Sequence, residues 1–144
     1  MAYIICDIDG TLANAEHRMA AIQQKPKDWP LFFSKIAEDE VYAEVEYFLK
    51  HLADTRIIFV TGRPEEYRRP TVEWLGKHGF VANELFMRKT GDFRQDNQVK
   101  QEIYEQQILP SMGPPVFVID DRNQVVAMWR SLGLTCFQVR EGNF

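Results

Sequence analysis

The chain has 144 residues, of which 45% are hydrophobic and 12% aromatic, and its formal net charge is −4 at pH 7. This length and composition predict a globular domain and exclude a disordered chain, and no run of about 18 apolar residues predicts a membrane span. The acidic balance also argues against a protein that binds nucleic acid tightly and without specificity.

The cysteines indicate the compartment. Cys6 and Cys136 both lie in apolar runs, where cysteine acts as a small hydrophobe, and two such residues do not suggest a disulfide framework. The N-terminus shows no signal-peptide pattern. We therefore expect a reducing, cytoplasmic location.

The first predicted element is a strand over residues 3–6, an unbroken apolar run of the kind that is buried inside parallel sheets. It is followed by Asp7 and Asp9, spaced two apart, and then by Gly10 and Thr11. Open α/β sheets bind ligands just beyond the carboxyl ends of their strands, so this segment predicts a functional site. The alternative is an Asp-Gly turn with solvated acids. A calcium loop fits less well, because its glycine is the sixth residue whereas Gly10 would be the fourth.

Between the first two strands lies an insert of about thirty residues, at about 13–43, that is predicted to be partly helical. It begins with a polar stretch that carries Arg18, and its aromatic residues recur at helical spacing. The members of this stripe are Trp29, Phe32, Phe33 and Ile36. We interpret the stripe as core packing and the acidic run at 38–40 as a solvated surface.

The rest of the chain alternates helices and strands. Apolar spacing predicts a helix over 45–52, and a strand follows over 57–60. After a helix that ends at His78, strands are predicted over 84–88, 116–119 and 135–139, with helices over 96–108 and 125–132 between them. This pattern predicts an α/β fold, a Rossmann-like parallel sheet with helices on both faces, in a single domain over 1–144.

Reactive residues follow several of these strands, and four of them are acids. The acids are Asp7, Asp9, Asp120 and Asp121. Clustered carboxylates repel one another unless a cation lies among them, and oxygen ligands suit Mg²⁺. We therefore expect Mg²⁺ as the cofactor.

A phosphate-binding set complements the acids. Thr61 and the Gly62 amide can donate hydrogen bonds, while Arg63 and Lys100 supply positive charge. Lys100 lies in the first turn of its predicted helix, where the helix dipole favours an anion, and Asp96 is predicted as the N-cap of that helix.

One of the acids is then free to attack phosphorus. Asp7, nearest the sheet, is predicted to be the nucleophile that forms an aspartyl phosphate. Asp9 is predicted to protonate the leaving oxygen and later to activate water, as a general acid and base.

Four motifs together resemble those of the haloacid dehalogenase superfamily of phosphohydrolases. They are D-I-D-G-T at 7–11, T-G-R at 61–63, Lys100, and D-D at 120–121, and they span essentially the whole chain. The resemblance implies the same two catalytic acids, with Asp7 also a metal ligand and the backbone carbonyl of Asp9 on the metal. It further implies that Thr61 and Lys100 bind the phosphoryl group and that Asp120 and Asp121 hold Mg²⁺.

A closer resemblance is to the 3′-phosphatase domain of phage-type polynucleotide kinase/phosphatases. It rests on the segments T-G-R-P-E-E-Y-R at 61–68, M-R-K-T-G-D-F-R-Q-D-N-Q-V-K at 87–100, and I-D-D-R-N-Q-V-V-A-M-W-R at 119–130. This resemblance implies that Arg63 and Asp96 also serve the site. Thr11, the last residue of the D-I-D-G-T segment, is predicted to contribute to phosphate binding. Arg18 matches a further arginine of that family, although the segment around it differs. No G-x-x-x-x-G-K-[ST] loop is present, so no kinase activity is expected from these residues.

The predicted substrate is therefore a 3′-phosphorylated DNA or RNA end, which leaves room for a separate kinase or ligase as partner and predicts no membrane partner. The insert is short, which predicts a small or absent cap and an open site. Residues 56–100 carry nine basic and six acidic side chains, and several of the basic ones are candidates for contacts with backbone phosphates. These candidates are Arg68, Arg69, Arg88, Lys89 and Arg94.

Two other functions are weighed against this one. The first is a phosphatase for nucleotides or other small metabolites. The second is a catalytically silent module that binds nucleic-acid ends, although every motif acid is present.

Overall fold

The computed structural model describes residues 2–144. The strands are β1 (Ala2–Cys6), β2 (Ala13–Asn14), β3 (Glu40–Val41), β4 (Thr55–Pro64), β5 (Leu85–Arg88), β6 (Val118–Asp120) and β7 (Cys136–Gln138). The α-helices are α1 (Ala20–Gln23), α2 (Trp29–Ser34), α3 (Ala43–Lys50), α4 (Arg68–Lys77), α5 (Asp96–Ile103), α6 (Leu109–Met112) and α7 (Asn123–Ser131). Short 3₁₀ turns cover Glu16–Arg18, Ile36–Glu38 and Glu65–Tyr67, and a π-helical turn, Tyr104–Ile108, joins α5 to α6.

Five strands form one parallel sheet in the order β5-β4-β1-β6-β7. In the register of the central strand, Ile5 lies opposite Ile58 of β4 and Val118 of β6. The prediction of a Rossmann-like parallel sheet with helices is confirmed. The order changes direction at β1, so the ligand crevice of such a sheet is expected at the carboxyl end of this strand.

Two hydrophobic layers cover the faces of the sheet. Tyr3 and Ile5 of β1 pack in one layer with buried residues of α5 and α7. Ile4 and Cys6 point to the other layer, where residues of α3 and α4 cover them. Because β1 is buried on both faces, its apolar run is continuous rather than alternating.

The insert between β1 and α3 folds around a small apolar cluster of its own. Its strands β2 and β3 pair antiparallel, with Ala13 opposite Val41, and so close the base of the insert. The buried members of the cluster are Ala15, Ala21, Phe32, Phe33 and Ile36. Asp28 caps α2 by accepting a hydrogen bond from the Leu31 amide at 3.0 Å. The helical stripe was therefore predicted from spacing, whereas strands of two residues are too short to give a periodic signal.

Both cysteines are buried and free. Burial, together with the charge of Asp120, raises the pKa of the Cys136 thiol to about 12. Such thiols are unreactive at neutral pH. Within residues 2–144, no helix combines the length and the apolar character needed to cross a bilayer.

Candidate active site

The sheet order places three segments that carry predicted site residues at one edge. The strand β1 pairs with β4 on one side and β6 on the other, so the carboxyl ends of these three strands are neighbours. Asp7 directly follows β1, Thr61 lies near the end of β4, and Asp120 ends β6. All three side chains are buried.

A cluster of acids forms around Asp7. One carboxylate oxygen from each of Asp7, Asp120 and Asp121 lies within 4.8 Å of the other two. Lys100 Nζ donates to Asp7 Oδ1 at 2.8 Å and to Asp120 Oδ2 at 3.0 Å. The Thr11 hydroxyl lies 2.9 Å from Asp7 Oδ2 and 3.2 Å from Asp121 Oδ1. Each of these five residues is expected from the sequence to serve the site, and the fold brings them together.

The electrostatics of this cluster favour a cation. Burial raises the pKa of the Asp7 carboxyl well above its usual range and Asp120 raises it further, while Lys100 acts in the opposite direction. Burial and Asp120 also raise the pKa of Asp121. Burial alone would lower the pKa of the Lys100 ammonium, but Asp120 and Asp7 outweigh it and hold the pKa well above its usual range. One ammonium is too little positive charge for three buried carboxylates, and an all-oxygen donor set suits Mg²⁺.

Gly10 allows the Asp121 carboxylate to pack directly against the backbone of the D-I-D-G-T segment. Its φ is +83°, a conformation that glycine adopts without cost, and a Cβ at this position would lie 2.2 Å from Asp121 Oδ2. The glycine of the D-I-D-G-T segment is therefore required by both its backbone conformation and the carboxylate packed against it.

Asp9 lies apart from the acid cluster and is held by two arginines. Its Oδ1 accepts from Arg18 Nη2 at 2.8 Å and Arg63 Nη2 at 2.6 Å, and its Oδ2 accepts from Arg63 Nε at 3.1 Å. Burial would raise the pKa of Asp9, but the guanidinium groups of Arg63 and Arg18 outweigh it and hold the pKa of this carboxyl well below its usual range. Asp9 is thus ionised at neutral pH.

Asp39 is a second partner of both arginines, and the prediction that the run 38–40 is solvated is wrong for this residue. Its side chain is fully buried. Its Oδ1 accepts from Arg18 Nε at 2.7 Å and lies 2.6 Å from His17 Nε2, while its Oδ2 lies 3.4 Å from Arg63 Nη2. Trp74 Nε1 donates to the Asp39 carbonyl at 2.9 Å. No local pattern in the sequence points to Asp39, because its partners lie 21 and 24 residues away.

The T-G-R segment is shaped by its neighbours. The Thr61 hydroxyl accepts from the Arg63 amide at 3.2 Å. A Cβ on Gly62 would lie 2.0 Å from Asp96 Oδ1, so this position requires glycine. Asp96 in turn accepts from Arg88 Nη2 at 2.7 Å, and Arg88 Nε donates to the Gly62 carbonyl at 2.8 Å. Asp96 therefore supports the T-G-R segment, and the prediction that it caps α5 is wrong because Gln95 is the N-cap.

Four of the five basic side chains proposed as backbone-phosphate contacts are engaged within the protein. Arg68 pairs with Glu65, Arg69 with Glu73, Arg94 with Asp92 and Glu102, and Arg88 with Asp96. Lys89 is exposed and forms no ion pair within residues 2–144. The excess of positive charge in 56–100 is therefore largely neutralised by nearby acids.

One family accounts for the whole of this arrangement. A sequence model described as the polynucleotide kinase PNKP phosphatase domain matches residues 1–144. The chain belongs to this family. The resemblance to such domains that the motifs indicate is thereby confirmed, and the chain is a phosphatase domain of the haloacid dehalogenase type.

Two relatives of this PNKP-type phosphatase domain are longer than this chain. A protein of the Autographa californica nuclear polyhedrosis virus, whose proposed identity is a bifunctional polynucleotide kinase/RNA ligase, is 31% identical over 141 residues, which are 94% of this chain and 19% of the viral protein. A chain in the structure of the Pnkp1/Rnl/Hen1 RNA repair complex is 36% identical with a TM-score of 0.84, over 99% of this chain and 43% of that one. The chain thus spans less than half the length of these two relatives.

The fold extends to more distant hydrolases. A haloacid dehalogenase-like hydrolase from Streptococcus pneumoniae superposes with a TM-score of 0.67 at 13% identity, over 96% of this chain and 84% of that one. At this identity the likeness concerns the fold alone, and it agrees with the parallel sheet and its helices.

Proposed function

We propose that this PNKP-type phosphatase domain removes the 3′-phosphate from nucleic-acid ends through an aspartyl-phosphate intermediate. The observation that carries the proposal is the convergence of Asp7, Thr11, Lys100, Asp120 and Asp121 beyond β1 and β6. Such a set offers a nucleophile, cation ligands and a phosphate-binding ammonium in one buried cluster.

Asp7 is the proposed nucleophile. Its two carboxylate oxygens are oriented by Lys100 and by the Thr11 hydroxyl, and each oxygen keeps a lone pair for attack on phosphorus. Lys100 neutralises charge on Asp7 and, with Thr61 and the Gly62 amide, is proposed to bind the phosphoryl oxygens.

Asp7, Asp120, Asp121 and the Asp9 backbone carbonyl would hold Mg²⁺. When bound, this ion would neutralise the acids and polarise the phosphoryl group. The donor set fits the ion because it contains oxygen atoms and already converges within 4.8 Å among the three side chains.

Asp9 is the proposed general acid and base, and we propose that it performs the two roles in different protonation states. Held by Arg18 and Arg63, the carboxylate is ionised, which suits it to accept a proton from water in the second half-reaction. To donate a proton in the first half-reaction, Asp9 must be protonated beforehand. Its protonation requires a weaker interaction with the guanidinium groups of Arg18 and Arg63. We expect the incoming phosphoryl group to compete for the two guanidiniums and so to raise the pKa of Asp9.

A nucleic-acid 3′ end is the proposed substrate because two longer relatives carry names that refer to polynucleotide kinase, RNA ligase or RNA repair. A ligase or kinase acting on the same strand end is a proposed partner for the same reason. No phosphate loop of the kinase type occurs in these 144 residues, so phosphatase activity alone is proposed for them. Two free, buried cysteines support a reducing cytoplasm as the proposed location.

The test is phosphate release from a 3′-phosphorylated oligonucleotide, the matching 5′-phosphorylated oligonucleotide and the 3′-mononucleotide. We expect the highest kcat/KM for the 3′-phosphorylated oligonucleotide and poor turnover of the 5′ form. Equal efficiency for the oligonucleotide and the mononucleotide would instead indicate a phosphatase for small metabolites. Absence of turnover, with binding of the oligonucleotide retained, would indicate a silent end-binding module.

The same assay can be repeated at low and high salt concentration. Contacts to backbone phosphates weaken as salt rises. Because most arginines of the 56–100 region are paired with acids, we expect the advantage of the oligonucleotide to fall only modestly between low and high salt.

A further inference from the structure

The loop between β5 and α5, residues 89–95, carries an aromatic side chain that packs against nothing. Phe93 is 93% exposed, more than any other large hydrophobic residue within 2–144. The chemistry described above gives it no role, and a ring in water adds nothing to the core.

The loop itself is well fixed. Arg88 Nη1 donates to the Asp92 carbonyl at 3.0 Å and to the Arg94 carbonyl at 2.6 Å, on either side of Phe93. The Asp92 amide donates to the Lys89 carbonyl at 3.1 Å, which closes a turn around Gly91. The exposure of the Phe93 ring is therefore set by a loop whose backbone is held by hydrogen bonds, and not by a loose segment.

Both ends of the loop are attached to the T-G-R segment. At one end Arg88 Nε donates to the Gly62 carbonyl, and at the other Asp96 packs against the Cα of Gly62. Phe93 is three residues from Asp96, so the Cα atoms of these two residues are at most about 11 Å apart. With about 3.4 Å of axial rise per nucleotide, a strand whose end lies beside Gly62 and Asp96 would cover this distance with roughly three nucleotides.

The surroundings of the ring indicate its partner. Its loop neighbours are polar or charged, and Lys89 is exposed without an ion pair among the described residues. A protein-binding hot spot needs an apolar patch that excludes water around it, which this loop lacks. A nucleotide base needs only one flat ring face, and a free lysine nearby suits the phosphate beside that base.

We propose that Phe93 stacks on a base of the substrate strand, one to three nucleotides from the reacting 3′ end, and that Lys89 lies near the backbone phosphate. The proposal rests on the proposed function and identifies where the strand leaves the site. Phe93 is then a substrate-binding residue for an oligonucleotide, whereas a mononucleotide is too short to contact it.

The first experiment compares Phe93→Ala, Phe93→Tyr and Phe93→Leu on the 3′-phosphorylated oligonucleotide and mononucleotide. We expect Phe93→Ala to lower kcat/KM for the oligonucleotide about tenfold through KM, with the mononucleotide unaffected. Phe93→Tyr should retain the activity and Phe93→Leu should behave as Phe93→Ala. Tyr47→Ala, which removes a 68% exposed aromatic from α3, is the matched control and should change nothing.

Each other result overturns the proposal. Equal losses on both substrates would mean that the substitution disturbs the site itself. Full activity of Phe93→Leu would mean an apolar contact without stacking, and full activity of Phe93→Ala would mean that the strand does not touch the ring.

The second experiment reads binding without turnover. Oligonucleotides with a 3′-phosphate carry 2-aminopurine at the second, third, fourth or eighth position from that end and are mixed with the Asp7→Asn variant. We expect quenching at the second, third or fourth position and not at the eighth, and loss of that quenching when Phe93→Ala is added. Quenching without hydrolysis by the wild type would defeat the proposed function alone, whereas hydrolysis without Phe93-dependent quenching would defeat this inference alone.

Discussion

Asp7 combines a proposed catalytic role with an electrostatic cost to the fold. Its carboxylate is buried beside Asp120 and Asp121, and its pKa is raised as a result. Asp7→Asn removes one negative charge from this cluster and keeps the shape of the side chain. We therefore expect kcat to fall by at least about 10³-fold while the melting temperature in chelator stays the same or rises. Phosphate release and thermal unfolding measure the two effects.

Asp9→Asn is the matched variant for this test. It should also abolish turnover, but with a loss of stability, since Arg18 and Arg63 would lose a shared carboxylate. Near-normal turnover of Asp7→Asn beside an inactive Asp9→Asn would mean that the two roles are reversed.

Asp39 is expected to be the most stability-sensitive acid of the insert. Its buried carboxylate is shared by Arg18 and Arg63, so Asp39→Asn leaves these two buried guanidiniums with Asp9 as their remaining carboxylate partner. We expect a loss of about 3–5 kcal/mol in the free energy of unfolding, measured by urea titration, and weaker phosphatase activity as the arginines shift. Glu38→Gln, one residue away and exposed, is the control and should change stability by less than about 0.5 kcal/mol. A loss in the free energy of unfolding no larger than that of the control would show that other partners or solvent can replace Asp39 as acceptor for the two guanidinium groups.

At the scale of elements, the contact between β4 and α5 decides the shape of the T-G-R segment. Gly62 touches Asp96, whose carboxylate is held by Arg88 at 2.7 Å and cannot easily move aside. Gly62→Ala is therefore expected to destabilise the protein by about 1–3 kcal/mol and to reduce kcat/KM sharply. Gly76→Ala on α4, where nothing lies within 4 Å, should instead stabilise by up to about 1 kcal/mol.

A double-mutant cycle identifies the cause of the Gly62 effect. If the collision with Asp96 is responsible, Gly62→Ala should cost much less stability in an Asp96→Ala background. Additive losses in urea titrations would place the strain elsewhere in the loop.

At the scale of the whole molecule, the acid cluster should couple stability to Mg²⁺. An ion that binds only the folded chain stabilises it by about 2.7 kcal/mol at a concentration of one hundred times its dissociation constant. We expect Mg²⁺ to raise the melting temperature and to restore activity after chelation, and Asp121→Asn to remove the thermal effect. Asp92→Asn, outside the cluster, is the control. Full turnover in a metal-free preparation would contradict the role of the ion.

The parallel sheet could be predicted from the sequence because its signals are local. A strand buried on both faces, such as β1, appears as a continuous apolar run, and helices between such strands imply parallel pairing. The meeting of the acids at the ends of β1 and β6 could be predicted for the same reason, since the carboxyl ends of neighbouring parallel strands lie at one edge of the sheet.

The pairing of the charged side chains could not be predicted in this way, because it depends on the three-dimensional fold. The acidic run 38–40 has the composition of a solvated surface, yet Asp39 is buried by Arg18, Arg63 and Trp74 from three separate segments. In the same way Arg88 was predicted to be a candidate contact for backbone phosphates, yet its guanidinium joins Gly62 to Asp96. The sheet and the acids at its edge are predictable from the amino-acid sequence, because neighbouring residues and strand order suffice for both. Burial and pairing of a charged side chain depend on contacts between distant segments, which leave no periodic trace in the sequence.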